Sequence, residues 1–172
     1  DLRYLEFFAG KGEVFTAVKA EHTAVAVDLE YLSGVGHAMD INSDSGLALA
    51  IWLVLNCRED SFVVLFATCC SSWVHINSGT SKRSLLLPEG ATQLDYIVNS
   101  NKMVARCVLL FMLVVARGGT YLLEQPGSSL MRHYHRFQYW ASISKVSWHN
   151  SEDMETLGPI CILWHGSATC HS

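Results

Sequence analysis

The chain has 172 residues, enough for one domain with a sizeable core, and its 50% hydrophobic against 16% charged residues exclude a disordered chain. Twelve basic residues face 16 acidic ones for a net charge of −4, which argues against a self-sufficient nucleic-acid binder. The longest apolar runs, Gly46 to Leu55 and Cys107 to Ala116, are too short to span a bilayer, and no signal peptide is visible.

Residues 3–8 read as a buried strand that runs into the turn Gly10-Lys11-Gly12. Residues 12–21 can form a helix with Val14, Phe15 and Val18 on one face, and residues 23–28 a second strand ending at Asp28. The next segment, Leu32 to Asn42, has glycines at 34 and 36 and contains Met39-Asp40-Ile41. Asp44 is a plausible N-cap for an apolar helix over 46–56. Residues 61–67 form a continuous apolar run, as expected of a strand buried on both faces. The polar stretch from Cys69 to Gly90, with Lys82 and Arg83 in it, is long enough to be functional or mobile. A long helix over 92–117 ends at Gly118-Gly119, and a strand over 120–124 ends at Glu124-Gln125-Pro126-Gly127. Beyond Trp140 the periodicity is lost, and residues 141–172 should add at least one strand, over 160–164. This βα alternation predicts an α/β, Rossmann-like single domain over 1–172, a mostly parallel sheet with helices on both faces.

A strand, a Gly-x-Gly turn, a helix and a strand ending in an acid make the opening unit of a nucleotide-type cofactor site. Asp28 lies eighteen residues after Gly10, close to the spacing at which an acid meets ribose hydroxyls. The third glycine of the dinucleotide fingerprint is replaced by Phe15, so a ribose without a pyrophosphate fits better. That points to S-adenosylmethionine. An ordinary strand–turn–helix accounts for the same stretch. In an open parallel sheet ligands bind outside the carboxyl ends of the strands. Gly10 and Gly12, Asp28, Asp40, Cys69 and Cys70, and Glu124 all fall at such ends. Taken singly, the Asp residues could be caps or turn residues, the Cys residues small hydrophobes and Glu124 a solvated loop acid.

In their order these segments resemble the C5-cytosine methyltransferases of DNA and RNA. Glu6-Phe7-Phe8-Ala9-Gly10-Lys11-Gly12 is similar to that family's S-adenosylmethionine motif, Asp28 to its ribose-binding acid, and Met39-Asp40-Ile41 to its Gly-Asp-Ile. Ala67-Thr68-Cys69-Cys70-Ser71-Ser72-Trp73 resembles the Gly-Pro-Pro-Cys-Gln-x-Phe catalytic loop, and Leu123-Glu124-Gln125-Pro126 the Glu-Asn-Val motif. Arg106 falls on the helix where the family has an arginine. The resemblance covers residues 3 to 140. It implies a class I S-adenosylmethionine-dependent methyltransferase fold, cofactor binding by Phe8, Gly10, Gly12, Asp28 and Asp40, and catalysis by Cys70 and Glu124. Thr68-Cys69 stands where the family has Pro-Pro and Gln125 where it has Asn, and no Gln-x-Arg-x-Arg motif or target-recognition domain is found.

The chemistry needs these residue types. Cytosine C5 is a poor nucleophile until a thiolate adds at C6, and a carboxylic acid at N3 makes that addition feasible. The partner so implied is nucleic acid, DNA or RNA, held weakly by this acidic chain alone and best where the base is unpaired. Six cysteines, two adjacent, suit a reducing, intracellular location, nuclear or cytoplasmic, rather than a disulfide scaffold. Asp1, two residues before the first strand, suggests a fragment of a longer protein. Cys161, His165, Cys170 and His171 match no standard zinc spacing and read as incidental, so no metal is expected. Arg132, His133, His135 and Arg136 form a small basic patch or a solvated helix face. Two further readings stand beside the leading one: a methyltransferase of another substrate, and a non-catalytic binding or scaffolding module on the same fold.

Overall fold

The computed structural model describes residues 2–29, 38–59, 61–144, 146–150 and 160–165, with the backbone alone for 147–150 and 160–165. Strand β1 (Tyr4–Phe7) leads to helix α1 (Glu13–Lys19) and β2 (Ala24–Val27), followed by α2 (Asp44–Leu55) and β3 (Val63–Phe66). A 3-10 turn (His75–Asn77) and the single-turn α3 (Ser78–Ser81) precede the long α4 (Asp95–Ala116) and β4 (Thr120–Pro126). A second 3-10 turn (Leu130–His133), α5 (His135–Ile143), β5 (Ser147–Asn150) and β6 (Ile160–His165) complete the order.

The strands form one sheet in the order β2-β1-β3-β4-β6-β5, and every neighbouring pair is parallel. The expected α/β class and parallel sheet are therefore present, including the strand anticipated at 160–164. Strand β5 was not anticipated. The chain leaves β1 on one side to make β2 and returns on its other side to make β3, so the carboxyl ends of β1 and β3 flank the place where the order reverses. Right-handed crossovers put α1 on one face and α2, α4 and α5 on the other.

That second face is the core. Along β4, Tyr121, Leu123 and Gln125 are buried, while Thr120, Leu122 and Glu124 are only half-buried. An aromatic path crosses the layers. Phe7 stacks on Phe66 at 5.0 Å, Phe66 meets the edge of Phe111 at 4.8 Å, and Phe111 stacks on Tyr121 at 4.3 Å. Trp140 Nε1 then donates to the Tyr121 hydroxyl at 2.7 Å. Each such ring pair adds about 1 kcal/mol beyond the area it buries.

Four expectations need correction. Helix α1 buries none of its residues, and Val14 stays 47% exposed, because seven residues give two turns and no continuous apolar stripe. The N-cap of α2 is Ser43, not Asp44: Ser43 is extended and its Oγ accepts from Gly46 N at 2.9 Å, while Asp44 sits inside the first turn. The 69–90 segment, expected to be functional or mobile, is built around two helical turns and a buried arginine. Finally, α4 is long and apolar enough, by length and composition, to cross a bilayer, although no uninterrupted apolar run suggests it. In the fold α4 packs against α2, α5 and β4 and buries Val104, Cys107, Leu110, Phe111 and Val114.

Gly46 packs its backbone directly against Asp40, and a Cβ there would overlap the Asp40 carbonyl. Gly46→Ala gains about 1 kcal/mol of helix propensity. The overlap should outweigh that gain and leave a net loss of about 2 kcal/mol, a fall in Tm of about 6 °C by thermal melting. An unchanged or raised Tm contradicts this account of the Asp40–Gly46 contact.

Candidate functional site

The site begins where β1 ends. Phe8 has φ +62°, Gly10 +52° and Gly12 +65°. This left-handed region is open to glycine but costs a bulky residue on the order of 1–3 kcal/mol. The turn it makes lets the Phe8 and Ala9 amides both donate to the Val27 carbonyl, at 2.9 and 3.3 Å. The Gly10 amide donates to Asp28 Oδ2 at 2.8 Å. Gly12 N then donates to Ala9 O at 2.8 Å, and Gly12 serves as the N-cap of α1.

A second wall comes from residues 39–44. The Asp40 carboxylate accepts from Asn42 N at 2.8 Å, and the Asp40 carbonyl accepts from Ser43 N at 2.9 Å and from Ser43 Oγ at 2.8 Å. Asp28 and Asp40 are thus both turn residues in part, as their plain reading allowed. Between the two walls lies a cleft of about 110 Å³, lined by Phe8, Asp28, Leu29, Met39, Asp40 and Cys69, among others. A closed cavity of about 150 Å³ holds benzene, so this cleft has room for one planar ring and not for a whole nucleoside cofactor. On the other side of the glycine turn a wider cleft of about 850 Å³ is lined by Glu6, Ala9 to Val14, and Glu124.

Carboxylates dominate the wider cleft: Glu6, Glu13 and Glu124 against Lys11. Glu6 is only 3% exposed. Burial raises its pKa, against the lowering effect of hydrogen bonds from the Tyr4 hydroxyl and the Phe15 amide. The site residues inferred from sequence therefore divide. Phe8, Asp28 and Asp40 share the narrow cleft, Gly10, Gly12 and Glu124 share the wide one, and Cys70 lines neither.

Cys70 lies beyond the end of β3, whereas Glu124 lies inside β4, which runs on to Pro126 instead of ending at Glu124 as expected; Phe66 pairs with Leu123 across the two strands. Cys70 is buried and disulfide-bonded, whereas Cys57, Cys69 and Cys107 are free thiols. This differs from the expectation of reduced cysteines throughout. Burial pushes the Cys57 thiol up to about 11 and raises that of Cys107 further, whereas Cys69 is exposed and contacts Ser71 Oγ at 3.2 Å.

Two departures from the family motifs meet each other. Gln125 is fully buried; its Nε2 donates to the Thr68 carbonyl and to Thr68 Oγ1, both at 2.8 Å, and its Oε1 accepts from Ser129 Oγ at 3.0 Å. Arg83, in the polar stretch after Cys70, is 1% exposed. Its guanidinium lies 3.4 Å from the centre of the Trp73 ring and donates to the Pro88 carbonyl and to Ser72 Oγ. Burial lowers its pKa to about 10. Arg132 and Arg136 are exposed on and beside α5. Cys161, His165, Cys170 and His171 lie outside the described side chains, and among the described residues no group of His, Cys, Asp and Glu could hold a metal ion.

Comparison with family models, with curated proteins and with solved structures finds no match.

Sequence reasoning missed the grip of α4 on the site. Lys102 Nζ donates to Asn42 O at 2.7 Å, and Arg106 Nη1 donates to Ile41 O and Ser43 O at 2.8 and 2.6 Å. The signal was present as two cations four apart in the polar N-terminal half of a helix whose second half is apolar.

The raised pKa of Glu6 means the folded chain holds this proton more tightly than the unfolded chain. The linked stability is full below the ordinary value of 4.5 and is lost as pH rises through the folded value. Glu6→Gln should therefore raise Tm at about pH 7.5, with the gain shrinking as pH falls toward about 4.5. A variant that melts lower than the wild type at neutral pH contradicts the burial cost assigned to Glu6.

Proposed function

We propose that this chain is an S-adenosylmethionine-dependent methyltransferase domain of the C5-cytosine type, on a Rossmann-like fold. The observation that carries the reading is the narrow cleft beyond the carboxyl ends of β1, β2 and β3, where Phe8, Asp28, Asp40 and Cys69 converge beside the reversal of strand order. Its size suits the adenine ring. The rest of the cofactor would cross the Gly10–Gly12 turn into the wide cleft, whose carboxylates complement a sulfonium and an ammonium group.

When bound, the cofactor supplies an electrophilic methyl group. The chain's own part is to activate the base. The Cys70 thiolate adds to C6 of cytosine while Glu124 gives a proton to N3, and C5 becomes the nucleophile that takes the methyl group. Loss of the C5 proton to a base, expulsion of the thiolate and return of the N3 proton to Glu124 restore the ring and the enzyme. This chemistry requires Cys70 reduced, so a dithiol must first exchange with its disulfide.

Nucleic acid is the proposed partner, in unpaired form. With Arg83 buried, few cations remain to neutralise phosphate, and flipping a base from a duplex costs a few kcal/mol. A second reading, a non-catalytic module on the same fold, is favoured by two observations: the Cys70 disulfide, and the separation of Glu124 from the cleft beside Cys69.

Transfer of labelled methyl to cytosine-containing oligonucleotides, with dithiothreitol present and at low salt, separates the readings. The first expects slow transfer to single strands, little to duplex, and none after Cys70→Ser. Transfer that survives Cys70→Ser, or that fails on every oligonucleotide while the cofactor binds, rejects the C5 mechanism.

A further inference from the structure

We infer that Lys102 and Arg106 are positioning residues for the nucleoside half of the ligand site, an inference that rests on the cofactor reading above. Residues 40–43 belong to no strand or helix, so each of their carbonyls needs a donor from elsewhere. The Asp40 carbonyl is met locally by Ser43. The next three depend on α4: Ile41 O on Arg106, Asn42 O on Lys102, and Ser43 O on Arg106, which it shares with the Leu47 amide. Asn42 Nδ2 also donates to Asn99 O at 3.1 Å. Positions 99, 102 and 106 fall on one face of the helix.

The same short segment supplies Met39, Asp40, Ile41 and Asn42 to the narrow cleft, and α4 adds Met103 to it. The helix is thus both part of the wall and the clamp that holds the opposing wall. The chain of dependence is direct: Lys102 fixes Asn42, and the Asn42 amide fixes the Asp40 carboxylate. The ion pair of Arg106 with Asp44 is the minor part. Asp44 is 98% exposed, and pairs that open to solvent contribute little. What matters are the charge-assisted bonds to carbonyls from a guanidinium whose side chain is 16% exposed. Helix glue alone would fix α4 to α2 at any point along their contact; both cations instead grip the residues that line the cleft.

The test compares wild type, Lys102→Met, Arg106→Lys and Glu13→Gln by calorimetry with S-adenosylhomocysteine and with adenosine. Titrations are run below the melting transition of each variant. Lys102→Met keeps the aliphatic stem and removes the donor; it should weaken both ligands about tenfold, the worth of one charge-assisted bond. Arg106→Lys reaches one carbonyl in place of two and should lose less than Lys102→Met. Glu13→Gln, in the wide cleft, should weaken S-adenosylhomocysteine and leave adenosine unchanged. Amide exchange at residues 40–43 should quicken in both α4 variants. If both α4 variants bind both ligands as tightly as the wild type, the clamp serves the fold alone and the inference is overturned, with the cofactor reading intact. A loss confined to S-adenosylhomocysteine overturns it as well. Failure of the wild type to bind either ligand overturns the cofactor reading and the inference with it. Should Arg106→Lys not fold, Lys102→Met decides.

Discussion

The Val27 carbonyl takes two amides, from Phe8 and Ala9, and the rest of the site follows from that arrangement. To deliver both amides β1 must stop at Phe7 and turn through a left-handed residue, and the residue there is a phenylalanine rather than a glycine. A bulky side chain at positive φ persists only when its surroundings hold it. Here the neighbouring strand holds it, and Asp28 secures the next turn through the Gly10 amide. The strained turn makes Phe8 part of the lining of the narrow cleft, opens α1 at Gly12, and gives Gly10 and Gly12 to the wide cleft. Strain at this point is consistent with a ligand-binding edge, where preorganisation is worth its cost.

Helix α4 is the base plate. Its apolar side joins the aromatic path from Phe7 through Phe66 and Phe111 to Tyr121, so its position is fixed relative to β1, β3 and β4. Its polar N-terminal half then fastens two loops. Lys102 and Arg106 hold residues 41–43. Ser100 Oγ lies 2.7 Å from Ser72 Oγ, and Asn101 Nδ2 donates to Glu89 O at 2.9 Å. The second loop also carries its own anchor, Arg83 on the Trp73 face. A cation buried in this way costs desolvation, offset by the ring, the Pro88 carbonyl and Ser72. The segment after Cys70 is therefore an ordered loop tied at both ends, not a free lid.

What the sequence reveals and what it hides follow from the range of the interactions. Strand β3 is legible because a strand buried on both faces is a continuous apolar run, Val63-Val64-Leu65-Phe66. Helix α4 is legible from its length and the glycines that end it. Asp28, Asp40 and Glu124 are legible as candidate ligand groups at the sheet's carboxyl edge, although only Asp28 directly follows a strand. The division of those groups between two clefts is not, since it depends on which face each side chain takes at the sheet edge. Arg83 illustrates the same limit. Beside Lys82 in a polar stretch it reads as surface charge, and only the approach of Trp73 and Pro88 buries it. The Thr68–Gln125 bond pairs residues 57 apart that each look like a lone departure from a motif. Cys70 reads as a free thiol because sequence carries no record of its pairing.

The central claim is that an adenosine-bearing cofactor sits at the ends of β1 and β2. Amide chemical-shift mapping of the wild-type chain during titration with S-adenosylhomocysteine tests it most directly. The account predicts saturable shifts at Phe8 to Gly12, Asp28, Leu29 and Met39 to Asn42. It predicts quiet amides along the separate groove between α4 and α5 that Val108, Met112, Arg136 and Tyr139 help to line. Shifts that cluster in that groove, or no saturable shifts at all, would contradict it.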